Sequence, residues 1–303
     1  MKATIITSMM AAAVLLLSAC SENETPATPA VRSNTPVQLA AAGTVLTRVT
    51  ANDSWEEGDQ IGLAMMNADG SSTFPTPASY TYEVQPLTST DIAFAPATGS
   101  ETAYFPAYPA KVKFAAWHPV TADVKAASGA LTCTTVPSPD ILIAATAADY
   151  DEVNKTVQLR FRHATAKITV TVKIRQDLED QVNFTNAKLE ITGTAKSGKW
   201  NLSDGNAVID SETTTLSATV PQARVVTLLA YPTTPASDLV FTLTDGNGKT
   251  FTARPAEPVT LKTGSNNTFT LTLNPEVKVN FTGIIEEWGE EEQGGITGNE
   301  DIK

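Results

Sequence analysis

Alternation of apolar and polar residues with a period of two recurs along nearly the whole chain, in runs too short and too often punctuated to be helices. Ala166–Ile174 (AKITVTVKI) is the clearest run. The same rule is followed at Ile61–Met66, Tyr80–Val84, Lys111–Trp117, Thr156–Phe161, Ala187–Ile191, Val225–Ala230, Val240–Thr244, Thr250–Ala253 and Thr268–Leu273. Alternation puts every second side chain on one face, so each run predicts a strand with one buried side. Between runs lie turn sequences such as Asn67-Ala68-Asp69-Gly70 and Asp245-Gly246-Asn247-Gly248, the second a hairpin signal. Strands at this spacing, with scarce helical periodicity, predict an all-β fold of antiparallel sandwiches. With 303 residues, 42% of them hydrophobic, the chain fits two domains better than one. The polar, aperiodic stretch from Ala144 to Lys155 marks the boundary, giving β-sandwich domains over 37–150 and 151–303.

The N-terminus reads as a targeting segment. Met1–Cys20 carries one positive charge, an apolar stretch centred on Ala11–Leu17, and small residues before a cysteine. That is the form of a secretory signal peptide, too short for a spanning helix. Leu17-Ser18-Ala19-Cys20 resembles a bacterial lipobox. The resemblance implies removal of residues 1–19 and lipidation of Cys20, anchoring the chain to the outer membrane by about 0.8 kcal/mol per buried methylene. Residues 20–36, with Pro26, Pro29 and Pro36 among Ser, Thr and Asn, predict an extended tether. The remaining cysteine, Cys133, lies in an alternating run and is expected to be a small buried hydrophobe. Two cysteines give no disulfide framework and no metal or redox motif.

A net charge of −12 argues against electrostatic binding of nucleic acid or an anionic membrane. Motifs for a serine nucleophile, a zinc protease, a phosphate loop or a dinucleotide fold are all missing from the sequence. The expectation is a chain that is not an enzyme, with no cofactor, no metal and no catalytic residue. His163 is expected to be a hydrogen-bonding structural residue, since His118 is the only other histidine. Glu286, Glu287, Glu290, Glu291 and Glu292 surround Trp288 without the alternating pattern of a calcium loop, so a solvated acidic tail is expected.

Two further stretches suggest an exchange of strands. In Pro36–Thr50 (PVQLAAAGTVLTRVT), Val37, Leu39, Ala41, Gly43 and Val45 share one face, and the run then meets Arg48 in a loop-like segment. Near the C-terminus, Val277, Val279, Phe281, Gly283 and Ile285 repeat that pattern, glycine included. Both could fit one groove, although Val277–Ile285 also reads as the last strand of its own domain.

A set of motifs then carries a family resemblance. Trp55-Glu56-Glu57-Gly58-Asp59-Gln60-Ile61-Gly62 resembles the W-x-x-G-D-x-I-G signature of fimbrillin-family proteins. KVKFAAWHPV, DILIAA, LRFRHATAKITVTV and GIIEEWGEEEQGG are similar to later motifs of that family and occur in family order. The resemblance implies two tandem transthyretin-like sandwiches in a type V pilus lipoprotein on the cell surface, serving adhesion or biofilm formation. It also implies that an arginine-specific protease cuts after the first strand, for which Arg48 is the matching position. The first strand, with Val37, Leu39, Ala41 and Val45, would leave, and a strand from another pilin subunit would replace it. Val277, Val279, Phe281 and Ile285 form the candidate donor face. Cutting at Arg32 would release the lipid without opening a groove. By residues alone, Trp55 and Ile61 are expected in the core, with Asp59 accepting backbone hydrogen bonds in the turn. The alternative is a surface lipoprotein that binds glycans and does not polymerise.

Overall fold

The computed structural model describes residues 32–41, 55–70, 79–86, 92–127, 129–134, 140–233, 237–273, 280–287 and 298–301. In chain order, the strands up to His163 are β1 (Arg32–Pro36), β2 (Gln38–Ala41), β3 (Gln60–Asn67), β4 (Tyr80–Val84), β5 (Ile92–Pro96) and β6 (Tyr104–Pro106). They continue with β7 (Val112–His118), β8 (Val124–Ala127), β9 (Ala130–Cys133), β10 (Leu142–Ala145), β11 (Thr156–Leu159) and β12 (Arg162–His163). Then come β13 (Ala166–Ile174), β14 (Lys188–Ala195), β15 (Gly198–Asn201), β16 (Ala207–Ile209), β17 (Thr213–Thr219) and β18 (Val225–Ala230). The last are β19 (Val240–Thr244), β20 (Thr250–Ala253), β21 (Ser265–Leu273), β22 (Asn280–Glu287) and β23 (Gly298–Asp301). Among the described residues the one helical element is the 3₁₀ helix Gln176–Gln181. The chain is an all-β protein built of packed sheets.

The largest sheet has eight strands in the order β11-β2-β5-β4-β3-β7-β10-β12. Its outermost strands, β11 and β12, are separated in sequence only by Arg160 and Phe161. Leu159 and Arg162 are therefore at most about 11 Å apart. Eight strands spaced about 4.8 Å apart would be three times wider if flat, so the sheet is rolled over on itself. Inside the roll lies a core that includes Leu39, Trp55, Ile61, Phe94, Phe105, Phe114, Val157 and Phe161.

A five-stranded sheet, β18-β13-β21-β22-β23, faces a four-stranded one, β17-β14-β19-β20. Burial alternates along β13 and β21, as their sequences require. The inward residues Ile168, Val170, Phe269 and Leu271 share a core with Leu189, Ile191, Phe241 and Leu243 of the facing sheet. Phe241 and Phe269 meet across the gap with ring centroids 5.0 Å apart.

A further four-stranded sheet, β16-β15-β9-β8, is drawn from distant parts of the chain. Ala130–Cys133 pairs with Gly198–Asn201, with Trp200 opposite Leu131. This sheet covers a separate core that includes Trp117, Leu131, Cys133, Ile141, Trp200 and Tyr231. Cys133 is buried there, as its alternating run predicts. Burial pushes the Tyr231 phenol up, and hydrogen bonding at Cys133 acts in the same direction.

Three features differ from the sequence reading, and one expectation lies outside the described residues. Arg32–Pro36, read as the end of a tether, is a strand paired with β6. The expectation outside the described residues is the course of the first strand beyond Gln38–Ala41, which includes Val45 and Arg48. The ladders are not all antiparallel: β11 runs parallel to β2, and β13 parallel to β21. Finally, β11 and β12 lie beyond the polar stretch that ends at Lys155, yet both are hydrogen-bonded into the large sheet. Periodicity reports which face of a strand is buried, and says nothing of which strand lies beside it.

Candidate functional site

The segment Arg32–Ala41 passes from one sheet to another. Its first part pairs with β6, Arg32 opposite Pro106 and Pro36 opposite Tyr104. Pro36 has no N–H to donate, and the chain changes partners beside it. The Val37 N–H donates to the Ala103 carbonyl at 2.9 Å, and the Gln38 N–H to the Lys155 carbonyl at 3.2 Å.

From there β2 is an interior strand. On one side it is antiparallel to β5, with Leu39 opposite Phe94 and Ala41 opposite Ile92. On the other it is parallel to β11, with Leu39 opposite Val157 and Ala41 opposite Leu159. Val37, Leu39 and Ala41, all placed on the inner face by the sequence, are 5%, 4% and 3% exposed. Full burial of a valine or leucine side chain contributes about 1.5–3 kcal/mol, so this short segment is held by its side chains as well as by two ladders. Removing it would leave the backbone edges of β5, β6 and β11 without partners, along with an open apolar slot.

The surrounding residues hold the slot in shape. Trp55, 2% exposed, packs edge-on against Phe94 at 5.7 Å, Phe161 at 5.1 Å and His118 at 5.2 Å. The turn leading into β3 bends at Gly58, whose φ of +86° favours glycine. Asp59 closes that turn: its carboxylate accepts from the Glu56 N–H at 2.8 Å. The Tyr82 hydroxyl accepts from the Ala103 N–H at 3.0 Å. Burial pushes the Tyr82 phenol up, against the lowering effect of that N–H. Burial also raises Tyr80, with the Arg32 charge opposing it.

Near the other edge of the roll, His163 is 2% exposed and its Nδ1 pairs with a carboxylate oxygen of Asp140. The second Asp140 oxygen accepts from the Thr165 hydroxyl. Asp140 was not singled out in the sequence, although its place just before the apolar run ILIAA marks it as a polar residue entering a core. Among the described residues no group of three or more His, Cys, Asp or Glu side chains could hold a metal ion.

The candidate donor residues stand elsewhere. Phe281 and Ile285 belong to β22, where Phe281 is opposite Leu271 and Ile285 opposite Asn267. On its other side β22 pairs with β23. Val277 and Val279 lie outside the described residues, as does Cys20. The two stretches that match in pattern are thus both interior strands, in different sheets. Of the neighbours of the slot, Thr156–Leu159 lies in a run whose alternation predicts a strand, whereas Tyr104–Pro106 is too short to show a period. The pairing of either with the first strand is not legible, because the partners are far apart along the chain.

A family model described as Fimbrillin-like matches residues 47–288. The chain belongs to the fimbrillin-like family. A relative from Bacteroides uniformis, provisionally named fimbrium subunit Fim1C, is 25% identical to this fimbrillin-like chain over 95% of its length and 96% of the relative's. A B. uniformis structure described provisionally as a cell adhesion protein has a TM-score of 0.64 at 23% identity, covering 84% of this chain and 98% of that one. A Bacteroides ovatus structure with the same description gives 0.62 at 17% identity, covering 86% of this chain and all of the other. Both share the fold.

Proposed function

We propose that this fimbrillin-like chain is a structural or accessory subunit of a fimbrium on the bacterial cell surface, assembled by strand addition. The observation that carries the reading is the position of β2. A strand close to the N-terminus fills an interior slot between β5 and β11, so a cut behind it frees a segment with two-sided pairing. In this reading residues 1–19 are removed, Cys20 carries the lipid anchor at the outer membrane, and an arginine-specific protease cuts after Arg48. The released piece carries away β1 as well as β2, so the groove runs from β6 to β5 and β11. A strand of another subunit fills it, and the polymer serves adhesion.

The donor is Val277–Ile285. Asn280–Glu287 is paired on both sides by β21 and β23. Donation therefore exchanges two ladders for two, and the balance is set by side chains at about 0.8 kcal/mol for each methylene gained in the slot. The division into two sandwiches belongs to the same proposal, with the crossing placed after β12, since β11 and β12 are paired into the large sheet, and with the β16-β15-β9-β8 sheet joining the parts.

N-terminal sequencing of the protein recovered from the cell surface tests the reading. Assembled material beginning at Val49 is the expected result. Polymers that retain Arg32–Ala41 would overturn it.

A further inference from the structure

Strand β11 is an edge strand of the rolled sheet, and among the described residues its one ladder is with β2. The pairing is parallel and without a register shift: Thr156 opposite Gln38, Val157 opposite Leu39, Gln158 opposite Ala40, Leu159 opposite Ala41. Neighbouring strands that are parallel and in register are related by a sideways translation of about 4.8 Å. The inward side chains agree with this: Val157 and Leu159 are buried on β11, as Leu39 and Ala41 are on β2. Backbone directions agree as well. The Gln38 N–H points towards β11, donating to Lys155, while the Ala93 carbonyl of β5 accepts from the Gln85 N–H on the far side. Leu39 and Ala41 therefore turn their backbone groups to β5, and Val157 and Leu159 turn the equivalent groups to β2.

We propose that, when the first strand leaves, β11 moves sideways into its place and pairs antiparallel with β5, so that the vacated slot is closed by the subunit's own chain. This inference rests on the proposed release of the first strand. In the closed form Val157 stands opposite Phe94 and Leu159 opposite Ile92, with valine replacing leucine and leucine replacing alanine. The apolar face stays covered and the β5 edge stays paired, which an open groove in water would not achieve.

The stand-in is incomplete at one end. In the register of the ladder, Lys155 falls at the level of Val37. Beyond that point β11 offers nothing to the β6 edge that β1 had covered. Tyr104–Pro106 remains the open end, so an incoming strand pairs there first and then peels β11 away from β5. The closed form is a gate: it protects the processed subunit from indiscriminate strand pairing and opens to a strand long enough to reach from β6 into the slot.

A disulfide reports the closure. Ala93 and Gln158 are both exposed on the outer face, and Ala40 stands between them. Two strand spacings, roughly 10 Å, separate their positions with β2 in place. Closure makes them direct neighbours, within the limit of about 7 Å between Cα atoms for a disulfide. The full chain carrying Ala93→Cys and Gln158→Cys in a Cys133→Val background is cut at a sequence-specific protease site built into residues 47–50. Mass spectrometry then follows both the released fragment and the cross-linked peptide pair. The expected result is that the 93–158 disulfide forms only after the fragment has left, and blocks polymer growth until reductant is added. Release with both thiols still free would overturn the gate and leave the proposed function standing. A fragment that stays bound after cleavage would overturn both. If the cysteine pair impairs folding, hydrogen exchange on the chain carrying the protease site alone decides: the amides of Ile92, Phe94, Val157 and Leu159 stay protected after release in a closed subunit, and lose protection in an open one.

Discussion

Gly62 faces the indole ring of Trp117 so closely that a Cβ added at Gly62 would lie 2.1 Å from the Trp117 Cε2 atom. The two residues are opposite each other in the ladder of β3 and β7. Trp117 is 4% exposed and is held on its other sides by the third core. Even alanine at Gly62 forces the ring or the strand to move. Overpacking of a well-filled core costs typically 1–3 kcal/mol, and this overlap is severe, so Gly62→Ala should lose about 3 kcal/mol in denaturant unfolding. Trp117→Leu in the same chain should recover part of the loss. A Gly62→Ala variant of wild-type stability would show that the ring moves freely.

Processing gives a contrast between two arginines. Arg48→Ala should leave an uncut, lipid-anchored chain that does not polymerise, whereas Arg32→Ala should assemble normally. Cys20→Ala should deplete the precursor from the outer membrane without altering the fold. Immunoblots of fractionated cells read all three. Normal polymers from Arg48→Ala would remove that site from the scheme.

The donor strand is tested by face. Phe281→Asp would place a carboxylate on the face proposed to enter the slot, at a cost of several kcal/mol if it is buried unpaired. Asn280→Asp changes the opposite face. Polymer length on gels run in mild denaturant should fall far more for the first than for the second. Equal effects would exclude Val277–Ile285 as the donor.

The buried Asp140–His163–Thr165 group ties the segment entering β10 to β12 and to the bend before β13. Taking away one partner leaves the others buried without their hydrogen bonds, so Asp140→Ala should cost about 3–5 kcal/mol. A double-mutant cycle with His163→Ala should show a coupling above about 1 kcal/mol, since the residues touch. Additive effects would mean that the pair contributes nothing beyond its separate parts.

Asp245 provides a pH dependence. Burial acts to raise its pKa, but the backbone N–H groups of Lys249, Asn183 and Asn247 donate to the carboxylate and hold it below the ordinary 3.8. A depressed folded-state pKa means that the ionised group stabilises the fold above about pH 4 and that this contribution fades as pH falls through the folded value. Asp245→Asn should therefore lower the urea midpoint at pH 7, with the gap to the unsubstituted chain closing as the pH falls below the ordinary carboxylate value and through the depressed folded one. A gap independent of pH would show that the turn is held by shape alone.

Much of the fold could be read from residues because alternation is a local property. Ala166–Ile174, Val240–Thr244 and Thr250–Ala253 occur with the bounds their patterns predict. Trp55 and Ile61 are buried, and Asp59 accepts its turn hydrogen bond, as the turn chemistry requires. Pairing across the chain was not legible. Nothing in Thr156–Leu159 announces a partner 118 positions earlier, yet the Thr156 hydroxyl donates to the Gln38 side chain across that separation. Arg32–Pro36 is polar and proline-flanked, so its composition suits a tether. It becomes a strand because β6 offers an edge. The inner face of the first strand was legible at Val37, Leu39 and Ala41, since one buried side is all that a period of two encodes.

The β16-β15-β9-β8 sheet has a mechanical meaning. Loads in a fibre would enter one subunit at the slot beside β5 and leave it through the sheet that holds β22. Between those points the polypeptide crosses over at Ala164–Thr165, and a lone covalent crossing would act as a hinge under tension. Cys133 opposite Gly198 and Leu131 opposite Trp200 add a second, non-covalent connection, laid down as a ladder over the packed rings of Trp200 and Tyr231. Two connections side by side resist bending as well as stretching. In the proposed assembly the subunit would pass force along the fibre as a stiff link, and give way first at the strand donated by its neighbour.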